Sequence, residues 1–444
     1  MTQDTQLSFE FKVISGKRVT ADFTGGEVTS DGGVLILREI ADRMGIAEAL
    51  SKAIPDNRHQ SYVRHDVKTL LIQRILQIAC GYEDADDADT LRTDPGFKAA
   101  CNRLPSGYDL ASQPTMSRFE NALSQKDVYR IAEVLIRQFI ASYETPPEAI
   151  ILDIDDTDDP THGAQQLSLF NGYHDEYCYM PLFIFEGVSG KLITSVLRPG
   201  KRPSGKETRA IIKRVVQRIR TVWPSVGILF RGDSHFATPE LFAYCDTHCV
   251  QYVLGLTANA ILQARARTAL SAARREYGLT GKKTRVYREI RYQASTWHRA
   301  LRVIVMAEVS ALGDNVRFIV SSLEQTMPSV LYETVYCDRG RMENFIKDHK
   351  VALRSGRTSC HRFTANFVRL MLHSAAYMIL HTLREKLLAD TDFATAQFDT
   401  IRLRLLKIGA EVREMKTKLR FILPSSFPLQ KVFAVMWQKL VVLT

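Results

Sequence analysis

The chain has 444 residues, 45% hydrophobic and 24% charged, the composition of a folded globular protein with room for two or three domains. Lys and Arg number 59 against 49 Asp and Glu, a net charge of +10 that points to a polyanionic partner. No apolar run reaches the length of a membrane span, the polar start has no signal-peptide core, and seven scattered cysteines without a Cys-x-x-Cys pair fit a reduced, cytoplasmic protein with no membrane partner.

Residues 7–40 predict a short β-rich opening, because LSFEFKV alternates and Gly25-Gly26 and Asp31-Gly32-Gly33 are turn signals. From Val34 to about Tyr143 the period is helical. TLLIQRILQIACG puts Leu71, Ile75 and Ile78 on one face, with Gly81 suited to the C-terminal cap. In SQPTMSRFENAL, Pro114 fits a first helical turn and Arg118 projects from the helix behind it. That helix suits either the second member of a DNA-reading pair or one more bundle helix. Pro146-Pro147 marks a boundary, so residues 1–145 form a mainly helical N-terminal region.

Beyond the prolines the period shortens. Strands fit Ile150–Asp155, Tyr179–Phe185, Leu192–Leu197, Val226–Phe230 and Tyr252–Leu256, with a basic helix over Glu207–Val222. Three strands on short turns, then helix, strand, helix, strand, predict a mixed α/β layer over 148–260. Residues 261–334 differ: an arginine-rich helix (ILQARARTALSAARRE) precedes three strand-like runs, a basic β-rich insertion. Residues 335–385 return to helix, and 386–444 form a basic C-terminal region with its charge concentrated at Arg402–Arg420.

The acids stand out against this positive background. ILDIDDTDDP ends an apolar strand in Asp153, Asp155, Asp156, Asp158 and Asp159. Asp153 and Asp155 share a strand face, roughly 6–7 Å apart along the chain. Burying both ionised is costly unless a cation joins them, and hard oxygen ligands suit Mg²⁺ or Mn²⁺. A polar loop with Asx-turns is the plainer alternative. A second apolar strand ends in Arg231-Gly232-Asp233, and sites in mixed sheets gather at the carboxyl ends of strands. In VYCDRGRMENFIKDHK, a continuous helix would put Tyr336, Arg339, Glu343, Lys347 and Lys350 on one face, a carboxylate flanked by phosphate-binding cations.

Asp155-x-Thr157, Gly232-Asp233 and Tyr336-x2-Arg339-x3-Glu343-x6-Lys350 resemble the Asp, Asp, Glu triad and the Tyr-Arg-Glu-Lys signature of bacterial insertion-sequence transposases. TSDGG, LASQPTMSRFEN, DDPTHGAQ, CYMPLFIFEG, LRPGK and LLKIGA resemble the group numbered thirteen-eighty, over about Phe9 to Pro428. The resemblance implies a ribonuclease-H-like mixed sheet flanked by helices, with the β-rich insertion ahead of the catalytic glutamate and the N-terminal region binding element ends. It implies Asp155, Asp233 and Glu343 as catalytic acids holding two Mg²⁺ (or Mn²⁺) ions, with Asp153 as a candidate further ligand. Tyr336, Arg339, Lys347 and Lys350 would contact DNA, with Arg118, Lys201 and Arg202 as further candidates. The partners would be double-stranded DNA, both terminal inverted repeats and target, met by a homodimer on paired ends at the bacterial nucleoid. Met306 stands where a lysine is expected, and the tail after LLKIGAEVRE has fewer arginines than the group's pattern.

Two other readings are open. Asp153-x-Asp155-x-Thr157 with Gly232-Asp233 also matches a haloacid-dehalogenase-type phosphatase, with Asp153 as covalent nucleophile. Against it, Ala237 stands where a further aspartate belongs and the Tyr336–Lys350 helix has no role. A DNA-binding relative that has lost catalysis is the other reading, opposed by the presence of all three acids.

Overall fold

The computed structural model describes residues 8–201 and 203–442. These form two compact units: one joins the N-terminal part, through Glu120, to the C-terminal part from Ile379, and the other is Asn121–Met378. No helix among the described residues is long and apolar enough to cross a membrane.

The second unit is built on one eight-stranded sheet. Its strands are β1 (Ala149–Asp156), β2 (Leu182–Glu186), β3 (Leu192–Val196), β4 (Gly227–Gly232), β5 (Gln251–Leu256), β6 (Thr284–Tyr292), β7 (Leu301–Ser310) and β8 (Gly313–Ser321). The spatial order is β6-β7-β8-β5-β4-β1-β2-β3. β1, β4 and β5 run parallel, whereas β2, β3 and the last three strands pair antiparallel. The insertion therefore extends the central sheet rather than folding apart. Its strand β8 pairs with β5 through Leu254 and Val320, and its arginine-rich run is the helix Ala260–Thr280.

Alternation sorts β1 into two faces. Ile150, Leu152 and Ile154 enter a core shared with helices α1 (Gln125–Ala141) and α2 (Gly205–Val222). A capping box between Ser124 and Asp127 starts α1, whose Ile136, Phe139 and Ile140 cover the sheet. This places α1 in the sheet-bearing unit, Asn121–Met378. The proline pair lies in the link from α1 to β1, and the apolar stripe of α1 decides which unit it joins. The odd positions of β1, Asp153 and Asp155 among them, face the helical run at 328–352, whose Val335 carbonyl accepts from Arg231 on β4.

The first unit combines the two ends of the chain. Val28–Thr29 pairs antiparallel with Ala410–Glu414, and Lys407 Nζ lies 2.7 Å from the buried Asp31 carboxylate. The segments 29–33 and 405–410, far apart in sequence, thus pack on each other. The basic stretch 402–420 is not wholly helical: Ala410–Glu414 and Leu419–Ile422 form a hairpin. Arg118 is exposed on the helix Gln113–Ala122, where it donates to the Thr115 hydroxyl.

Candidate active site

The parallel pairing of β1 with β4 sets Ile154 opposite Gly232, so the next residues, Asp155 and Asp233, leave neighbouring strand ends together. Asp155 is largely buried. Burial drives its carboxyl up to about 7, the Arg339 guanidinium pulls it back, and the charges of Asp233 and Asp156 add to the rise. Asp233 is more open and accepts a 2.8 Å hydrogen bond from the His235 backbone N–H. Arg339 Nη1 donates to Asp155 at 2.9 Å, and the Tyr336 hydroxyl and the Asp233–Ser234 backbone both close on Gly255, where a Cβ would stand 2.7 Å from that hydroxyl.

The other acids of the strand end each have a place. Asp153 is fully buried and held by both arms of Arg231 at 2.6 Å, its register partner on β4. That bidentate grip occupies both carboxylate oxygens, so Asp153 supports the site as half of an ion pair rather than standing free as a ligand. Asp156 points to the opposite side and meets Arg198 at 2.6 Å. Lys350 Nζ donates to Asp158 at 3.0 Å and to the Thr157 hydroxyl at 3.2 Å. Burial alone would raise Asp158, but this ammonium brings its carboxyl below the ordinary range. Asp159 is buried with less compensation and is pushed up to about 8.

The Tyr336–Lys350 stretch is helical throughout, though its pitch changes: a wide turn over Leu331–Tyr336, a tight one over Cys337–Gly340, the α-helix Arg341–Lys347, and a wide turn over Asp348–Ala352. Its two ends are tied to the end of β1, through Arg339 to Asp155 and through Lys350 to Asp158. Phe345, between them, packs on Phe185 of β2 at 5.6 Å. Glu343 lies four residues beyond Arg339, and its exposed carboxylate makes no hydrogen bond or ion pair among the described residues. The structure gathers Asp155 and Asp233; it does not gather Glu343 with them, and among the described residues no group of three or more His, Cys, Asp or Glu is close enough to hold a metal ion. Lys347 and Lys201 are exposed, the latter beside the strand end, and Arg202 lies outside the described residues.

Three residues of the site escape a reading focused on acids: Arg231, Arg198 and His235. Arg231 carried a signal, since a charged residue inside the apolar run GILFRG demands a buried counter-charge, and the neighbouring strand offers Asp153.

The fold and site define a mixed α/β protein with an acid pair at the carboxyl ends of adjacent parallel strands. The chain matches the family model "Transposase DDE domain group 1" over residues 11–444 and belongs to that family, which makes it a DDE-type transposase. No curated protein matches it. Among solved structures it is similar to the piggyBac transposase in a cryo-EM synaptic complex with hairpin DNA, at 10% identity, over 85% of this chain and 80% of that one, with a TM-score of 0.44.

Proposed function

We propose that this transposase cuts DNA at the ends of an insertion sequence and joins the freed 3′-hydroxyl to target DNA, as a homodimer on paired ends. Asp155, Asp233 and Glu343 are its catalytic acids. The observation that carries this reading is the Asp155–Asp233 pair at adjoining strand ends, with Asp155 held at about 7 by burial against a neighbouring carboxylate. The family match supports the same assignment. The strand order β3-β2-β1-β4-β5, with the first three strands antiparallel and the rest parallel, supports a ribonuclease-H-like reading of the core.

The donor set fits a divalent cation. Two carboxylates share a partly desolvated corner with one bonded guanidinium, a surplus of negative charge on hard oxygens. Asp155 and Asp233 would hold the metal, with Glu343 supplied from the helix clamped across the strand end. When bound, Mg²⁺ or Mn²⁺, two ions in full, supplies Lewis acidity to the attacking and leaving oxygens. The chain's own part is positional. Arg339 fixes the Asp155 carboxylate, and N–H groups it does not spend there are free to grip a phosphate. Lys350 orders the Thr157–Asp158 turn, Lys347 and Lys201 supply salt-dependent backbone affinity, and Tyr336 shapes the floor beside Asp233. No nucleophilic side chain is needed, because water and then a 3′-hydroxyl attack.

The phosphatase reading needs Asp153 as a free nucleophile. Both of its oxygens are bonded to Arg231 and it is sealed from solvent, which argues against that chemistry. The test is cleavage of a labelled element-end duplex in Mg²⁺. Asp233→Asn and Glu343→Gln should abolish the cut, and undiminished cutting by either overturns the assignment.

A further inference from the structure

Between Asp158 and β2 the chain builds a small three-stranded sheet from Asp159–Pro160, Leu169–Asn171 and Glu176–Tyr179. Its outer hairpin breaks the usual economy of aromatic burial. Phe170 and Tyr177 are opposite each other in register, with ring centroids 5.5 Å apart, yet are 54% and 60% exposed. Tyr173, at the tip, is 89% exposed and sits edge-on to His174 at 4.9 Å. Beneath these rings opens a cleft of about 310 Å³ whose lining includes Phe170, Tyr173, His174, Lys201, Asp156 and His235. Its far wall is thus the residue after Asp155 and the residue two past Asp233. Gly200 packs so tightly on the hairpin that a Cβ there would stand 2.2 Å from the Cys178 carbonyl oxygen, which fixes the Lys201 side of the cleft against the rings.

Exposed aromatic faces beside a lysine and two histidines suit one kind of occupant: a planar, anionic one. Asp156 does not spoil this, because Arg198 neutralises it. A paired duplex hides its base faces by stacking, so only an unpaired nucleotide can offer a face to these rings. We infer that the Leu169–Tyr179 hairpin is a stacking site for an unpaired nucleotide next to the cut phosphate, with Phe170 and Tyr173 against the base and Lys201 on its backbone. This rests on the transposase reading above and adds a single-stranded subsite to it.

The test uses the full chain without divalent metal. Two probes are titrated by fluorescence anisotropy: a short oligothymidylate carrying one 2-aminopurine, and a blunt duplex of the same length. Phe170→Ala and Tyr173→Ala should weaken the single strand roughly 5- to 150-fold, the range expected from loss of one base–aromatic stack, and leave the duplex unchanged. Tyr173→Trp should retain binding and quench the 2-aminopurine. Equal losses for both probes, or no loss for either, would overturn the subsite. Failure of the unmodified chain to bind either probe would instead sink the transposase reading on which the subsite rests. Both substituted side chains are exposed, so folding is not at stake.

Discussion

Replacing Asp155 by asparagine should make the metal-free protein more stable at pH 8 relative to wild type than it does at pH 4. The carboxyl is raised from 3.8 to about 7, first by burial and then by Asp233 and Asp156 against the pull of Arg339. At about 1.4 kcal/mol per pH unit, holding it ionised in the folded state costs on the order of 4 kcal/mol. One fifth of the side chain still sees solvent, so about 2 kcal/mol is the more realistic figure. Between 3.8 and 7 the folded chain keeps a proton that the unfolded chain has released. Wild-type stability therefore falls through that window as pH rises and levels off above it, whereas asparagine carries no charge to penalise. Loss of the Arg339 ion pair works against the variant, but only where wild type is ionised, and it is smaller than the desolvation that dominates the shift. Thermal and urea unfolding at several pH values, in chelator, should show the variant-minus-wild-type difference growing by about 2 kcal/mol from acid to alkaline pH. Adding Mn²⁺ at pH 8 should recover stability in wild type and little in the variant. Parallel pH profiles would refute the claim that Asp155 is underneutralised.

Arg339→Ala removes the cation that lowers Asp155, so the rising limb of cleavage against pH should move upward by roughly one unit; an unmoved profile would deny the coupling. Asp153→Ala leaves buried Arg231 with only the Val335 carbonyl and, at 3.6 Å, the Asp338 carboxylate, and should cost about 3 kcal/mol in urea unfolding. Glu343→Gln should change stability by less than about 0.5 kcal/mol, as expected of an exposed residue without partners, while cleavage falls about 100-fold or more. Gly33→Ala would push a Cβ to within 2.5 Å of the Leu406 backbone, and should destabilise the first unit by about 1–3 kcal/mol without changing catalytic pH dependence.

Most strands of the sheet were legible because their periods are strong, but Tyr179–Phe185 is two elements, the end of Glu176–Tyr179 in the small sheet and β2, parted at Met180-Pro181. Ile150–Asp155 became Ala149–Asp156, Tyr252–Leu256 became Gln251–Leu256, and the helix at Glu207–Val222 gained two residues at its start. Long-range pairing was not legible. Nothing in LRVIVMAEV says that its hairpin joins the edge of β5, and nothing local in TSDGG says that Gly32 N–H will bond the Ile408 carbonyl at 2.7 Å. Nor does a helical period reveal changes of pitch, which is why one continuous face for Tyr336, Arg339, Glu343 and Lys350 was only an approximation. The acids themselves announced a site, since a core strand does not end in five aspartates without compensation. Which acids were already compensated depended on partners drawn from three other segments.

That partition explains why the strand end has so many acids and only some of them for chemistry. Five carboxyls at 153–159 and Asp233 face four bonded cations: Arg231, Arg339, Arg198 and Lys350. Asp153 is held with both oxygens in a sealed pair, and Asp158 is drawn down by its lysine, so both act as struts that fix the end of β1. The deficit of positive charge falls on the remainder. Besides Asp153, which burial raises despite its pair, it surfaces as the raised carboxyls of Asp155 and Asp159, one toward Asp233 and the other near Lys350. A fully neutralised strand end would be more stable and would have no appetite for a cation. By this reasoning the shortfall at Asp155 is the functional quantity, and a lysine introduced at Ser234 should raise stability at pH 8, lower Asp155 toward the ordinary range, and weaken Mn²⁺ binding in the same proportion.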